Sequence, residues 1–312
     1  MSYYIGFDIG GTKCAVSLGK CINQEIEILE RCEVATKISP YDTFEELAAF
    51  IIEYTCKFDV KGAGISCGGP LDSDKGIIIS TPNLSKEWYS FEIVRYIKNK
   101  FGLNARLEND ANACALAEWK FGAGIGTRNM VFLTFGTGLG AGLILDGKLY
   151  AGTNGNAGEV GHIRLMKTGP EGYGKNGSFE GFCSGGGITR LAIQMAKTQK
   201  KTPVYMKNTD EITTKLLAEF AFSGDSFARK VFAKSGKMLG KGLSVIIDIL
   251  NPERIVLGGV FMRSAELLVP TMQAEINKEA LVYSKKVCEI VPAKLSEGIG
   301  DIAAISVAAL EN

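Results

Sequence analysis

The chain has 312 residues, of which 46% are hydrophobic, and its 35 basic and 34 acidic side chains leave a formal net charge of +1. This length fits two domains of ~100–200 residues, each with a sizeable core. The balanced charge gives no electrostatic reason to expect a nucleic-acid partner. No apolar run reaches the ~20 residues that a membrane-spanning helix needs.

The eight cysteines are scattered along the chain without a Cys-x-x-Cys pair, and Cys67 and Cys114 lie inside apolar runs. This pattern is typical of reduced, buried thiols. The first predicted strand begins at Tyr3, which leaves no room for a secretion signal. We therefore predict a cytoplasmic protein with no membrane segment.

Apolar periodicity and turn residues predict the elements of the first part of the chain. They are strands at Tyr3–Ile9, Cys14–Leu18, Glu25–Val34, Gly62–Cys67, Gly76–Ser80 and Ala105–Glu108, and helices at Phe44–Cys56, Phe91–Phe101 and Ala111–Phe121. Three strands followed by alternating helices and strands predict a mixed sheet that is covered by helices.

The pattern of elements begins again near Met130. The predicted strands are Val131–Phe135, Ala141–Leu145, Arg254–Leu257 and Val287–Val291, and the predicted helices run from Ile188 to about Lys200, Ser226–Leu250, Ala265–Ala280 and Ile302–Leu310. The last helix follows Gly298–Gly300 and is expected to return to the first lobe. We predict a small lobe of residues 1–121 plus 299–312 and a larger lobe of residues 122–298.

The first two strands enclose the sequence Asp8-Ile-Gly-Gly-Thr-Lys13. This is a hairpin turn in which Gly10 and Gly11 allow a phosphate to approach the bare backbone. Thr12 and Lys13 add a hydroxyl and a cation at the same edge. A tight turn without a ligand is the alternative, but the flanking polar residues favour the phosphate site.

A second strand–glycine–strand unit lies at Val131–Leu145, with Gly136-Thr-Gly-Leu-Gly140 as its turn. Two such units one domain apart indicate a duplicated architecture that holds a nucleotide. The Walker pattern is absent. A dinucleotide fingerprint is excluded because a strand, and not a helix, follows each glycine turn.

Asp110 lies where a predicted strand ends and a helix begins. An aspartate at that position commonly caps the helix. A carboxylate held there is also rigid enough to act as a general base, and the two roles can coexist.

Five motifs in this order resemble the ROK family of bacterial sugar kinases and repressors, within the actin-like/hexokinase ATPase superfamily. They are Asp8-Ile-Gly-Gly-Thr-Lys13, Glu108-Asn-Asp-Ala-Asn-Ala113, Thr134-Phe-Gly-Thr-Gly-Leu-Gly140, Gly158-Glu-Val-Gly-His162 and Ile255-Val-Leu-Gly-Gly259. The resemblance implies an α/β fold of two lobes, of the ribonuclease H-like ATPase type, with a cleft between them. It also implies a homodimer.

The resemblance implies roles for particular residues. Asp110 corresponds to the catalytic base, and Asp8 orders Mg²⁺, directly or through water. ATP is expected to contact Gly10, Gly11, Thr12, Lys13, Thr137, Gly138, Gly258 and Gly259. The sugar is expected to contact Gly69, Asn83, Asn109, Asp110, Glu159, His162 and Glu180.

The family's histidine also binds a structural zinc together with three cysteines, and this chain departs from that pattern. The matching positions hold Glu171, Tyr173 and Ser178, and a single histidine cannot complete a tetrahedral site. We therefore predict no structural zinc, and a hydrogen bond from Glu171 or Tyr173 that orients His162 instead.

The resemblance implies an ATP-dependent hexokinase of glucokinase or N-acylhexosamine kinase type that acts on the C6 hydroxyl. The alternative is a sugar-sensing regulator without catalysis, since the family includes repressors. The chain has no DNA-binding motif ahead of Tyr3, and it retains Asp110 and both glycine turns, which favours the kinase. The sequence leaves the identity of the hexose open.

Overall fold

The computed structural model describes residues 1–22, 25–199, 201–295 and 299–310. The predicted helix end at Lys200 and the predicted return of the chain at Gly298 lie outside these residues. The chain divides into two compact units. Unit 1 comprises Met1–Thr127, Gly142–Ala157 and Lys294–Asn312, and unit 2 comprises Arg128–Ala141 and Gly158–Ala293.

The strands follow the predicted apolar runs, with short additional pairs. They are β1 Ser2–Ile9, β2 Lys13–Ile22, β3 Glu25–Ala35, β4 Val60–Cys67, β5 Leu71–Asp72, β6 Ile77–Ile78, β7 Ala105–Asn109, β8 Met130–Phe135, β9 Leu139–Leu145, β10 Lys148–Leu149, β11 Glu171–Gly172, β12 Lys175–Asn176, β13 Arg254–Leu257 and β14 Glu289–Pro292. The predicted strand at Gly76–Ser80 is in fact only the second half of the small β5–β6 hairpin.

The helices carry the expected apolar faces. They are α1 Pro40–Lys57, α2 Ile93–Phe101, α3 Asp110–Phe121, α4 Phe179–Cys183, α5 Gly185–Thr198, α6 Thr214–Phe222, α7 Ser226–Leu250, α8 Val260–Glu279, α9 Val282–Val287 and α10 Ile299–Ala308. Helix α8 begins before the predicted Ala265, and Ser264 has non-helical backbone angles that kink it. The kink interrupts the apolar period, which explains the late predicted start.

Two five-stranded sheets have related topologies. The first has the order β3-β2-β1-β4-β7, in which β1, β2 and β3 are antiparallel and β4 and β7 run parallel to β1. The second has the order β10-β9-β8-β13-β14, with β13 parallel to both β8 and β14. Each sheet thus combines a hairpin with parallel strands, and the α/β class is confirmed.

The core of unit 1 lies between its sheet and the helices. Phe7 and Phe44 are fully buried with their ring centroids 5.7 Å apart. On the other side, α10 lies so close to β4 that a Cβ on Gly64 would overlap the carbonyl oxygen of Ala304. Only glycine permits that approach of backbone to backbone.

The buried Glu118 carboxylate of α3 joins two further segments of unit 1. It accepts hydrogen bonds from the backbone N–H groups of Ala123, Lys294 and Leu295 at 2.7–3.2 Å. A buried carboxylate is stable only when its oxygens have such donors. This residue therefore fixes the segment that leads toward α10.

Unit 2 is organised around α7, the longest of its helices among the residues that the structure covers. Gly236 and Gly240 lie one turn apart on α7, and a Cβ at Gly240 would lie 2.5 Å from the carbonyl oxygen of Met272 on α8. Small residues at this spacing allow the two helices to pack closely. No helix among the described residues is long and apolar enough to cross a membrane. All eight cysteines are free thiols.

Candidate functional site

The turn between β1 and β2 lies at the surface of unit 1. Gly10 N donates to Lys13 O at 3.0 Å, and the Thr36 hydroxyl donates to Gly10 O at 2.6 Å. Gly11, Thr12 and Lys13 are exposed. An exposed glycine turn of this kind can bring its backbone close to an anion.

Asn83 lies directly against this turn. A Cβ on Gly11 would overlap the carbonyl oxygen of Asn83 and lie 2.8 Å from its Cβ. Gly69 lies elsewhere, beside the side chain of Asn109, and a Cβ there would be 3.3 Å from Asn109 Nδ2. Four of the predicted residues of unit 1 therefore form two neighbouring pairs: Gly11 with Asn83, and Gly69 with Asn109.

Asp110 is the first residue of α3, and Asn109 is its N-cap. Ala111 N donates both to Asn109 Oδ1 at 3.0 Å and to Asp110 Oδ1 at 2.8 Å. The side chain of Asp110 keeps access to solvent, while the protein atoms around it raise its pKa and the bond from Ala111 lowers it. The cap and a solvent-accessible carboxylate therefore coexist, as the sequence allowed.

Glu108 stabilises the junction between β7 and α3 through hydrogen bonds. Its buried Oε1 accepts from the backbone N–H of Asn109 at 2.9 Å and from Asn112 Nδ2 at 3.0 Å. Burial raises the pKa of Glu108, and these two hydrogen bonds lower it. Glu108 was not among the predicted site residues, although its position before Asn109 in a polar motif was a signal.

A group of carboxylates surrounds Asp8 in unit 1. Burial raises the pKa of Asp8 to about 6, and the negative charges of Asp301 and Asp110 add to the effect. Asp301 follows Gly300, at which a Cβ would lie 2.7 Å from Asp8 Oδ2. Oxygen ligands from one or two carboxylates, completed by water and phosphate, are what Mg²⁺ requires. Asp8 and its surroundings fit that ion.

A chain of ion pairs connects this group with Lys13. Asp301 accepts from Ser17 Oγ and, at 2.9 Å, from Arg31 Nε. Arg31 pairs with Glu33 at 2.7 Å, and Glu33 pairs with Lys13 at 2.6 Å. Asp301, Arg31 and Glu33 were not among the residues predicted from the sequence. The alternation of Arg31 and Glu33 along a strand did indicate a shared face.

In unit 2, the turn between β8 and β9 contacts Glu180. Leu139 N donates to Glu180 Oε2 at 3.1 Å, and a Cβ on Gly138 would lie 2.8 Å from the same oxygen. Gly185 N, at the start of α5, donates to Gly136 O at 2.9 Å. Thr137 is exposed at the tip of the turn.

Glu159 and His162 lie on a short 3₁₀ turn beside the same strand. Ala141 N donates to Gly158 O at 2.9 Å, and a Cβ on Gly161 would overlap Leu139 O and lie 3.3 Å from the Cβ of Glu180. Both side chains are exposed. The structure thus brings the predicted sugar residues of unit 2 to one side of its glycine turn.

Gly258 and Gly259 form the turn between β13 and α8. Gly258 N donates to Leu133 O at 2.9 Å. Gly259 has a positive φ of 60°, and a Cβ there would overlap the backbone of Phe135, the residue before the glycine turn of β8 and β9. The two glycine turns of unit 2 are therefore neighbours.

The predicted orientation of His162 by a hydrogen bond is wrong. Its ring lies edge-on to that of Tyr173, with centroids 6.2 Å apart and an interplanar angle of 82°. Glu171 is exposed, and neither side chain is hydrogen-bonded to the ring. The contact between the two side chains is therefore a T-shaped contact of their rings.

The positions of the family's zinc cysteines do not fit a metal. Ser178 Oγ accepts from Gly181 N at 3.1 Å as the N-cap of α4. Within the described part of the chain, no three His, Cys, Asp or Glu side chains are grouped to hold an ion. His162 offers one ring nitrogen, but Glu171, Tyr173 and the helix-capping Ser178 do not replace the three cysteine sulfurs of a structural zinc site.

Two curated glucokinases match nearly the whole chain, and a curated regulator matches three quarters of it. The glucokinase of Streptomyces coelicolor is 29% identical over 315 residues, covering 99% of this chain and 98% of the relative. The glucokinase of Thermotoga maritima is also 29% identical, over 97% of this chain. The regulator NagC of Escherichia coli is 29% identical over 239 residues, which are 75% of this chain and 57% of NagC.

Solved structures show the same fold. A glucokinase of the ROK family from Streptomyces griseus, in complex with glucose and AMPPNP, is 29% identical with a TM-score of 0.78 over 98% of this chain and 99% of that one. A ROK hexokinase from Thermus thermophilus is 27% identical with a TM-score of 0.80, over 98% and 97%. The chain has the actin-like ATPase fold of these enzymes. The model of the ROK family matches residues 4–310, and the chain therefore belongs to that family.

Proposed function

We propose that this protein phosphorylates a hexose at its C6 hydroxyl with ATP, as a glucokinase-like sugar kinase. The observation that carries the proposal is Asp110: a carboxylate fixed by the start of α3, open to solvent, with a pKa raised by the surrounding protein. A raised pKa strengthens a carboxylate as a proton acceptor. The full-length glucokinase relatives support the same activity.

In the proposed reaction, Asp110 accepts the proton of the C6 hydroxyl while the hydroxyl oxygen forms a bond to the γ-phosphorus. The bond from that phosphorus to the β–γ bridging oxygen breaks, and ADP leaves with the electron pair. Such transfer depends mainly on positioning and on stabilisation of charge. Glu108 supports the positioning because it fixes the backbone of Asn109 beneath the base.

For the nucleotide, we propose that ATP contacts Gly10, Gly11, Thr12, Lys13, Thr137, Gly138, Gly258 and Gly259. Asp8 would hold Mg²⁺, directly or through water, and the ion would neutralise charge on the phosphates. The ATP analogue bound by the Streptomyces griseus relative supports the choice of nucleotide.

For the sugar, we propose contacts from Gly69, Asn83, Asn109, Asp110, Glu159, His162 and Glu180. The contact of Gly11 with Asn83 makes Asn83 the residue that adjoins the phosphate turn. Glucose and the N-acetylated hexosamines are the substrates we would test first. A homodimer, a cytoplasmic location and the division into lobes at residue 122 also remain proposals.

The test is ADP release measured with purified protein over a panel of hexoses, including glucose, mannose, fructose, allose, N-acetylglucosamine and N-acetylmannosamine. We expect at least one substrate and a C6 phosphate product. Asp110→Asn should reduce kcat by roughly 10²-fold or more, within the range of general-base catalysis, yet leave hexose affinity within about threefold. Full turnover by this variant would exclude Asp110 as the base.

A sugar-sensing regulator is the second candidate, because NagC matches three quarters of the chain. A regulator of this kind would bind a hexose without consuming ATP. Calorimetric titration with the same hexoses, performed beside the ADP assay, separates the two functions: binding without turnover in the wild type would favour the regulator.

A further inference from the structure

Residues 170–177 form a hairpin with an unusual residue at its tip. Glu171 pairs with Asn176 and Gly172 with Lys175, so Tyr173 and Gly174 are the two central turn residues. Both have positive φ, 46° and 72°, which is type I′ geometry. Asn-Gly is the preferred pair in such a turn, and a bulky first residue is strained.

Burial does not explain why a tyrosine occupies position 173. The side chain of Tyr173 is 74% exposed, and its ring lies edge-on to His162. A large aromatic side chain in a strained, exposed position has no folding advantage over asparagine. Strain of this kind is typical of residues retained for binding or catalysis.

The hairpin contacts neighbouring residues of unit 2 through a hydrogen bond and through close packing. Lys175 Nζ donates to the backbone oxygen of His162 at 2.7 Å. The backbone of Gly172 lies against α4, where a Cβ would be 2.9 Å from the Cβ of Glu180 and 2.7 Å from Ser178 Oγ. The hairpin therefore sets the place of the Tyr173 ring relative to His162 and Glu180.

This attachment involves no metal. Ser178 is engaged as a helix cap and Glu171 is exposed, so the donors for a structural zinc are missing. Packing and the hydrogen bond of Lys175 stabilise this segment in place of a metal ion.

We propose that Tyr173 is a sugar-binding residue: its ring covers the apolar C–H face of the hexose held at Glu159, His162 and Glu180, and a metal-free hairpin keeps it there. This inference rests on the sugar site of the proposed function. A rigid aromatic ring provides a large contact area with little loss of conformational entropy. Its hydroxyl is not needed for such a contact.

The decisive variant is Tyr173→Asn, which suits the type I′ turn and removes the ring. We expect KM and Kd for the hexose to rise about tenfold, in line with the loss of a buried aromatic contact. We expect kcat and the KM for ATP to stay within about twofold, and the melting temperature to equal or exceed that of the wild type, because asparagine relieves the strain.

Two further variants serve as controls. Tyr173→Phe keeps the ring and should behave like the wild type. Tyr283→Ala removes an equally exposed tyrosine, 79% exposed on α9, and should also leave hexose affinity unchanged. An unaltered hexose KM and Kd in Tyr173→Asn would overturn the proposal, as would one tightly bound zinc per chain in metal analysis.

Direct titration of hexose binding keeps this proposal separate from the proposed function. If the wild type binds a hexose without phosphorylating it, the kinase assignment fails, while a weakened Kd in Tyr173→Asn still supports the role of Tyr173. If the wild type neither binds nor phosphorylates a hexose of the panel, both proposals fail.

Discussion

Asp8 is an aspartate whose pKa lies near 6 because it is buried close to two other carboxylates. The folded-state pKa lies above the reference value of 3.8, so the folded protein binds more protons than the unfolded chain between about pH 4 and pH 6. Stability therefore falls as the pH rises through that window. Removal of the carboxylate should abolish this part of the pH dependence.

We accordingly predict that Asp8→Asn loses less stability than the wild type when the pH is raised from 5 to 7 in metal-free buffer. The difference should be about 1 kcal/mol, from the cited pKa and the free energy per pH unit. Urea unfolding at both pH values measures it. The exposed Asp59→Asn variant is the control, and equal pH dependence of wild type and Asp8→Asn would contradict the prediction.

Lys13 is a surface residue whose side chain forms an ion pair with another surface residue. Its ammonium group is paired with Glu33, which also pairs with Arg31. If Lys13 contacts a phosphate of ATP, Glu33 competes with that phosphate for it. An exposed ion pair of this kind is worth ~0–1 kcal/mol.

We therefore predict that Glu33→Gln lowers the KM for ATP by about two- to fivefold at low ionic strength, and less at high salt, where charges are screened. Initial rates over a range of ATP concentrations measure it. Glu27→Gln, on the same strand and paired with Lys20, is the matched control. A KM for ATP that both variants leave unchanged would show that Glu33 does not restrain Lys13.

Helix α10 is the element that brings Asp301 to Asp8, and its close approach to β4 depends on the absence of a side chain at Gly64. A Cβ on Gly64 would overlap Ala304 O and lie 2.5 Å from the backbone nitrogen of Ala308. The helix would have to move away from β4, and Asp301 would move with it.

Gly64→Ala should therefore destabilise the protein by about 3 kcal/mol, the upper range for overpacking, and should also weaken activity. Gly62→Ala is the matched control, two residues earlier on β4, where a Cβ would be 3.2 Å from one oxygen atom. It should cost less than about 1 kcal/mol. Chemical unfolding of both variants gives the comparison, and equal losses would be inconsistent with close packing of α10.

Elements also differ in how far their sequences predict them. The long amphipathic helix α7 was predicted with the bounds that the structure shows, because a sustained apolar period identifies it. The short helices α6 and α9 were missed because each spans fewer than ten residues, and packing against α7 stabilises helices of that length more than propensity does. The β11–β12 hairpin was missed because tyrosine is not a residue expected in its turn.

At the scale of the whole molecule, a ligand that binds only the folded state raises its stability by mass action. At a concentration of 100 times Kd, the gain is about 2.7 kcal/mol. We predict that the preferred hexose raises the melting temperature by several degrees, and that its mirror-image L-sugar does not. Asp110→Asn should keep this shift, because its altered group acts in the chemistry. A shift lost in that variant would mean that Asp110 is needed for binding and folding.

The sequence by itself determined the ROK resemblance, most of the strands and helices, and the residues of each predicted motif, because glycine turns and apolar periods are local signals. Tertiary structure alone decided which of these residues meet. Asp301 approaches Ser17 across 284 positions of the chain, Glu180 contacts the Gly138 turn, and the rings of Tyr173 and His162 form a T-shaped contact where a hydrogen bond was predicted. Such contacts follow from packing between distant segments and from strained backbone, and neither leaves a periodic trace in the sequence.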